Sequence, residues 1–276
     1  MAKKIKKTIL IWAATTLLST NLWAVRPFVT DDSAVIGYKR MELANWLYRT
    51  DGSFEVWHSL NYGLTDRTEL TLAGIHGALR SEAGDQWKYA YTAPLVQLKH
   101  LFRDHEPNGL PGISLAIGSD LPFGNRPFRR QDDYSAFKAP GHGGFWFVAV
   151  TQCFGKNEEL LIHANVGGTY LREGGQNLRG SVWGLGTQLK VHRNWFGIAE
   201  VFNGDPYIRD ATGYAYQVGF RYFVTDDLQF DLAYGSGFGG KNELRSGWWV
   251  SGGIRWVLNF DRMRTRKFSP QGRRIK

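Results

Sequence analysis

From residue 38 to residue 260, short segments in which apolar and polar side chains take turns follow one another along the chain. A period of two, with β-branched and aromatic enrichment, marks strands that have one apolar face. The segments fall at 38–49, 53–62, 67–79, 87–101, 112–121, 143–154, 159–171, 179–191, 195–203, 213–224, 227–236 and 247–260. In the clearest, Leu228, Phe230, Leu232 and Tyr234 alternate with Gln229, Asp231 and Ala233. Tyr214, Tyr216, Val218, Phe220 and Tyr222 oppose Ala215, Gln217, Gly219 and Arg221. Trp183, Leu185, Leu189 and Val191 oppose Gly184, Gly186, Gln188 and Lys190. The same holds for Leu160, Ile162, Ala164 and Val166 against His163, Asn165 and Gly167. It holds again for Trp248, Val250, Ile254, Trp256 and Leu258 against Ser251, Gly253, Arg255 and Asn259. Segments 38–49, 87–101, 143–154 and 195–203 have no clear parity.

Twelve strands, an even number, each about as long as the apolar layer of a membrane, predict an all-β fold: a single antiparallel transmembrane β-barrel. A bilayer offers no water to backbone N–H and C=O groups, and a closed sheet satisfies all of them internally. A soluble sandwich also alternates, but its polar face is dense in Lys, Glu and Thr. Here the polar face is rich in Gly with isolated charges, which suits a narrow interior. Connections alternate in length. Gly63–Asp66, Gly155–Glu158, His192–Asn194 and Thr225–Asp227 are tight turns rich in Asp, Asn and Gly. Longer ones lie at 80–86, 122–142, 172–178, 204–212 and 237–246. Short periplasmic turns and longer extracellular loops are the barrel arrangement. Segment 102–111, with Pro107 and Pro111, is an unusually long turn-side connection.

Residues 1–24 read as a signal peptide: Lys3, Lys4, Lys6 and Lys7, an apolar run from Thr8 to Leu18, and a small residue at Ala24. Residues 25–260 form the barrel, and 261–276 a basic periplasmic tail. The net charge of +9 would suggest nucleic acid. Its distribution removes that argument: the signal carries +4 and the tail +6, leaving −1 for residues 25–260. No nucleic-acid partner is expected. A mean hydropathy of −0.33 excludes a helical membrane bundle, and 14% aromatic content suits interfacial girdles. Cys153 stands alone, so there is no intrachain disulfide framework.

Several short runs carry a resemblance. Arg26-Pro27-Phe28-Val29-Thr30-Asp31-Asp32, Tyr62-Gly63-Leu64-Thr65-Asp66, Leu121-Pro122-Phe123-Gly124-Asn125, His163-Ala164-Asn165-Val166-Gly167 and Thr225-Asp226-Asp227-Leu228 occur in order. Together they resemble the bacterial transporter family of the phenol-degradation MetA-pathway type. The third run departs from the family's pattern, with Phe and Asn in place of Thr and Asp. The resemblance implies an outer-membrane barrel serving as a channel for small, often aromatic or hydrophobic compounds.

Sequence spacing offers little chemistry. No His pair sits at i, i+2 on one strand and no Cys pair exists, so no metal site is expected. His58 and Ser59 are adjacent and point to opposite faces, so they cannot act as base and nucleophile. No G-x-S-x-G turn is present. The paired glycines lie within strands without a following helix, so they are not phosphate loops. No cofactor and no enzymatic activity are expected.

The inward face carries the functional content. Glu69, Asp120, Lys190, Arg221, Asp231 and Arg255 should face the lumen with His163, Asn165, Gln188 and Gln217, as candidate solute-binding residues. Three acids and three bases are expected to pair across the barrel, and a mixed set predicts weak ion selectivity. The expected role is passive passage of a small solute. A lipid-modifying barrel enzyme and a structural barrel with a closed lumen are the other readings. Expected partners are outer-membrane lipid and lipopolysaccharide, the solute, and the barrel-assembly machinery that would read Phe260.

Overall fold

The computed structural model describes residues 28–81, 83–84, 86–121, 123–125, 127, 137, 142–173, 176–207, 213–238 and 247–260. The expected signal peptide, the basic tail and most of 122–142 lie outside these residues. Thirteen strands are present: β1 (Arg40–Thr50), β2 (Ser53–Thr65), β3 (Thr68–Arg80), β4 (Trp87–Arg103), β5 (Gly112–Asp120), β6 (Gly124–Asn125), β7 (His142–Phe154), β8 (Leu160–Glu173), β9 (Gln176–His192), β10 (Trp195–Asn203), β11 (Tyr214–Thr225), β12 (Leu228–Gly237) and β13 (Trp248–Asn259). Twelve of them form an antiparallel meander in which each strand pairs with its sequence neighbours. The ladder closes where β1 meets β13, from Arg40 opposite Asn259 to Thr50 opposite Trp249. The two-residue β6 is an addition that the alternation could not reveal; it pairs with Tyr91 and Thr92 of β4.

The short turns after β2, β7, β9 and β11 gather at one end, here the turn rim, together with the longer 104–111 connection. The connections after β3, β5, β10 and β12 gather at the other end, the loop rim. Two loop-rim connections are only two residues long, at 51–52 and 174–175; the longer connection expected at 172–178 is shortened because β8 and β9 extend to Glu173 and Gln176.

Along each strand, exposure alternates with the pleat. Leu185, Val166, Trp146 and Trp256 point outward and are about half exposed or more, whereas Arg221, Gln188, Phe147 and His163 point inward and are buried. A continuous band of exposed Leu, Val, Phe, Trp and Tyr around a closed sheet fits hydrocarbon rather than water as its solvent. Aromatic pairs mark both ends of this band. Trp195 packs against Tyr222 with ring centroids 4.6 Å apart on the turn side, and Trp183 lies 6.1 Å from Tyr214 on the loop side.

The four strands of unclear parity have specific causes. In β4 the pairing with β3 shifts register between Ala73 and Ile75, so inward residues change from Ala90 to Leu95, Gln97 and Lys99. Pro94, which has no N–H to donate, sits at that irregularity, where a ladder tolerates it. In β1, β7 and β10 the inward face is itself apolar in part: Trp46 and Tyr48, Phe145 and Phe147, Phe196 and Phe202. The interior is therefore layered. Towards the loop rim, Tyr48, Leu79, Phe137, Phe202 and Trp249 pack together, with Glu55, Asp120 and Asp205 buried at that end; towards the turn rim lie the other buried charges.

Candidate functional site

The lumen is occupied by the chain's own N-terminal segment. Residues 28–37 run inside the barrel without joining the sheet. A closed ladder leaves no strand edge, so this segment is held by wall side chains that bond its backbone. Glu200 on β10 accepts from the backbone N–H of Val29 and of Thr30, both at 2.8 Å. Glu69 on β3 accepts from Ile36 N at 2.8 Å, and Thr151 on β7 from Ser33 N at 2.9 Å. Asn165 on β8 grips Asp31 from both sides, its Oδ1 accepting from Asp31 N (2.7 Å) and its Nδ2 donating to Asp31 O (2.8 Å). Lys99 on β4 donates to Asp31 at 2.9 Å and to Asp32 at 3.4 Å. Phe28 lies edge-on to His163 at 6.0 Å, with the Arg221 guanidinium 5.8 Å from its ring.

The wall charges form their own network on the turn side. Arg221 donates through Nε to Asp231 (2.7 Å) and through Nη1 to Gln188 (2.7 Å). Arg255 donates to Glu42 (2.6 Å) and to Gln229 (3.1 Å), and Gln229 in turn donates to Asp231 (2.8 Å). Gln217 donates to Glu200 and accepts from Trp249 Nε1 at 3.1 Å. These pairs run along the wall, between adjacent strands or across one intervening strand, as from Arg221 on β11 to Gln188 on β9. Among the described residues the expected pairing across the barrel does not occur, because the N-terminal segment occupies the axis. Buried charges survive in such a place only when each is matched and its remaining hydrogen-bonding capacity used.

Of the ten candidate residues, Glu69, Asn165, Gln188, Gln217, Arg221, Asp231 and Arg255 belong to these two networks. His163 is buried with its Nδ1 3.1 Å from Thr151 Oγ1. Asp120 is buried and borders a cavity described below. Lys190 stands apart at the turn rim, its Nζ 5.8 Å over the Phe196 ring. Sequence reasoning missed Glu42, Lys99 and Glu200, all on strands of unclear parity, and the lumen role of residues 28–37. It also missed Glu55, which accepts from Ser53 and from Trp57 Nε1 at 2.8 Å.

Between the N-terminal segment and the wall of β1 to β5 lies a cavity of about 90 Å³. Phe28, Trp46, Trp57 and Tyr207 give it aromatic sides, and Asn61, Gln97 and Asp120 supply polar groups. Tyr207 reaches inward from the β10–β11 connection and donates from its hydroxyl to Gln97 Oε1 at 3.1 Å. Phe137, from the long β5–β7 connection, is fully buried in the aromatic layer near the loop rim. At that position the loop folds inward.

Among the described residues the outward face carries two hydrogen-bonded histidine groups: near the turn rim His100 Nδ1 lies 3.0 Å from Thr68 Oγ1, and the other group is centred on His58. His58 Nδ1 bonds Asn45 Oδ1, and His58 and His76 stack at 5.2 Å with their Nε2 atoms 3.1 Å apart. A lipid-hydrolysing site needs a nucleophile beside such an imidazole. The outward positions two residues away are Val56, Leu60, Gly74 and Ala78, none of which has a hydroxyl.

No protein-family model matches the chain, and a search of curated proteins finds no relative. Solved structures do match. The chain is similar to the COG4313 outer membrane channel from Pseudomonas putida F1, with a TM-score of 0.63 and 13% identity over 82% of this chain and 98% of that one. It is similar also to the KdgM porin in complex with disordered oligogalacturonate, with a TM-score of 0.53 and 7% identity over 78% and 98%. The fold is that of an outer-membrane β-barrel. At these identities the likeness concerns architecture; function has to be argued from the lumen.

Proposed function

We propose that this protein is an outer-membrane channel for passive passage of a small amphiphilic solute, aromatic in part, with the N-terminal segment as its movable constriction. The turn rim then faces the periplasm and the loop rim the exterior. The observation that carries this reading is the cavity between segment and wall, aromatic on its sides and polar at fixed points. Such a lining is what ligand pockets use to hold and orient a ring with a polar substituent. The resemblance of residues 26–260 to the phenol-degradation transporter family supports the same solute class.

Size decides how passage works. An apolar cavity of about 150 Å³ holds benzene, and this one measures about 90 Å³. A ring-sized solute therefore enters only when residues 28–37 shift. The resting barrel is closed to such solutes, and transport is gated by release of the anchors at Glu200, Glu69 and Lys99. The wall charges are mixed and paired, so selectivity by ionic sign is weak.

The test is uptake into proteoliposomes of small aromatic acids, sugars and amino acids, alongside planar-bilayer recordings. Aromatic acids should enter faster than sugars of similar mass, and Trp57→Ala should reduce that preference. Absence of uptake and of current, in both the wild type and a Glu200→Ala variant, would make the barrel a structural one and end the channel reading.

A further inference from the structure

The turn-rim connection at 104–111, here the strap, is longer than any other there and has no part in the lumen network. It crosses the rim and lies over the β7–β8 turn. Asn108 N donates to Cys153 O at 3.0 Å, Asn108 Oδ1 accepts from Gly155 N at 2.9 Å, and Gln152 Nε2 donates to Gly109 O at 3.2 Å. These bonds bring three metal-ligating side chains from three separate places in the chain into one spot. Cys153 points inward from the end of β7 and is fully buried. His105 comes from the strap, its side chain 6% exposed, with Nε2 3.3 Å from Glu158 Oε1. Glu158 comes from the turn itself, held at a φ of +54° that points its carboxylate back under the strap. One ligand atom from each of the three lies within 4.8 Å of the other two.

Two observations show that this cluster is incomplete as a purely hydrogen-bonded group. Glu158 Oε2 is buried without a hydrogen-bond partner, and His105 Nδ1, also buried, makes no hydrogen bond and has the Asp104 carboxylate at 3.5 Å as a loose ion-pair contact. A buried polar atom without a partner costs free energy, and a native structure leaves few of them without a use. The thiol beside them is a poor hydrogen-bonding partner and a strong metal ligand once deprotonated.

We propose that His105, Cys153 and Glu158 form a zinc site at the turn rim, with the fourth position open to water. Imidazole nitrogen, thiolate sulfur and carboxylate oxygen are the three donor types zinc accepts, at about 2.0–2.3 Å in a tetrahedral arrangement. Those bond lengths place ligand atoms about 3.3–3.7 Å from one another, so the observed spread needs a closure of about 1 Å. Rotation of the three side chains supplies it without moving the strands. A thiolate in the set selects zinc-like, thiophilic ions over magnesium or calcium. The site would fasten the strap to the β7–β8 turn beside the inner anchor of the lumen segment. Thr151, which holds Ser33, is two residues from Cys153 on the same face, and Gly112 at the end of the strap lies against Ser33. Sequence spacing could not show this site, because 47 residues lie between His105 and Cys153 and it is the pairing of β5 with both β4 and β7 that brings them to one rim.

The experiment uses the purified full chain in detergent with cobalt(II) as the probe. One equivalent of cobalt should bind and produce a thiolate-to-metal charge-transfer band with strong tetrahedral visible absorption, both removed by zinc. Cys153→Ser should abolish the charge-transfer band, and His105→Ala should weaken zinc binding by about a hundredfold or more. Heat-modifiable migration on gels, checked for each variant, shows that the barrel still folds. Should a variant fail to fold, alkylation protection replaces it: zinc should shield Cys153 of the wild type from a small maleimide during mild warming. A binding isotherm unchanged by Cys153→Ser, or cobalt spectra without the charge-transfer band, would overturn the proposal. In that case the cluster is a His105–Glu158 ion pair beside an inert thiol.

Discussion

Removing the Glu200 carboxylate tests the movable-constriction reading most directly. Its two oxygens accept from Val29 N and Thr30 N, each at 2.8 Å, and it is buried between β9 and β11 with Gln217 as a further donor. A hydrogen bond to a charged acceptor contributes about 1.5–3 kcal/mol, so Glu200→Ala removes about 3–6 kcal/mol of anchoring from the segment. At about 1.4 kcal/mol per tenfold, the fraction of molecules with a displaced segment rises by a factor of about 10² to 10⁴. Glu200→Gln keeps one acceptor and loses the charge, so it should fall between the variant and the wild type. Two assays read the shift. Single-channel recordings should show longer and more frequent openings in the order wild type, Gln, Ala. In a Cys153→Ser background, Thr30→Cys should react with a water-soluble maleimide faster when Glu200→Ala is added. Equal labelling rates and equal open fractions across the series would mean that Glu200 does not hold the segment, and the gating argument fails with it.

Three further outcomes follow from the same geometry. Asp231→Asn replaces the carboxylate that Arg221 Nε bonds with a neutral amide, and breaking a buried pair in this way costs about 3–5 kcal/mol, read as a lower midpoint in urea unfolding; the Arg221→Met, Asp231→Leu double variant should recover most of it. A Cβ added at Gly235 would sit 2.2 Å from the Trp249 ring, so Gly235→Ala should displace Trp249 from the aromatic layer, shift tryptophan emission to the red and raise loop-side conductance. The His105 imidazole is held above its ordinary value of 6.5, chiefly by its hydrogen bond to Glu158. Its stabilising contribution is complete below about pH 6.5 and fades as pH rises through the raised value. In chelator, the wild type should therefore lose more thermal stability than His105→Ala between about pH 6 and pH 9.

The barrel was legible because strands facing lipid and a crowded lumen must alternate, and eight of them do so plainly. Their bounds agree with the structure to within a few residues, as at 179–191 against Gln176–His192. The remaining four hid their facing, and they hold Glu42, Lys99 and Glu200. The cause is physical. In β10, Phe196, Ile198 and Phe202 turn inward beside Glu200, so both faces of the strand read as apolar. In β4 the irregularity at Pro94 reverses the parity halfway along, so neither assignment fits the whole strand. The run Phe28–Asp32 was visible as a motif, but nothing in its own residues says that it lies inside the barrel. Its partners are wall side chains far away in sequence, from 68 residues for Lys99 and Asp31 to 171 for Glu200 and Val29. The rim cluster was invisible for the same reason.

Whether the lumen segment is a fixed plug or a movable one is a question of balance. Ordering the backbone of residues 28–37 costs about 10–20 kcal/mol, at about 1–2 per residue. Against this stand four buried apolar side chains, Phe28, Val29, Val35 and Ile36, worth about 1.5–3 kcal/mol each. The three backbone bonds to the Glu200 and Glu69 carboxylates add about 1.5–3 kcal/mol each, bringing the total to about 10–21 kcal/mol. The further bonds from Asn165, Thr151 and Lys99 are opposed by the side-chain ordering of the segment, about 0–2 kcal/mol per residue, and the two sides stay equal within the width of either figure. A segment built into the sheet would share the cooperativity of the whole ladder and could not leave without opening the barrel. One held by a few side chains at near-zero surplus can exchange with a solute that satisfies the same groups. Loss of a single anchor then changes the open population by orders of magnitude, while the twelve-stranded wall stays intact.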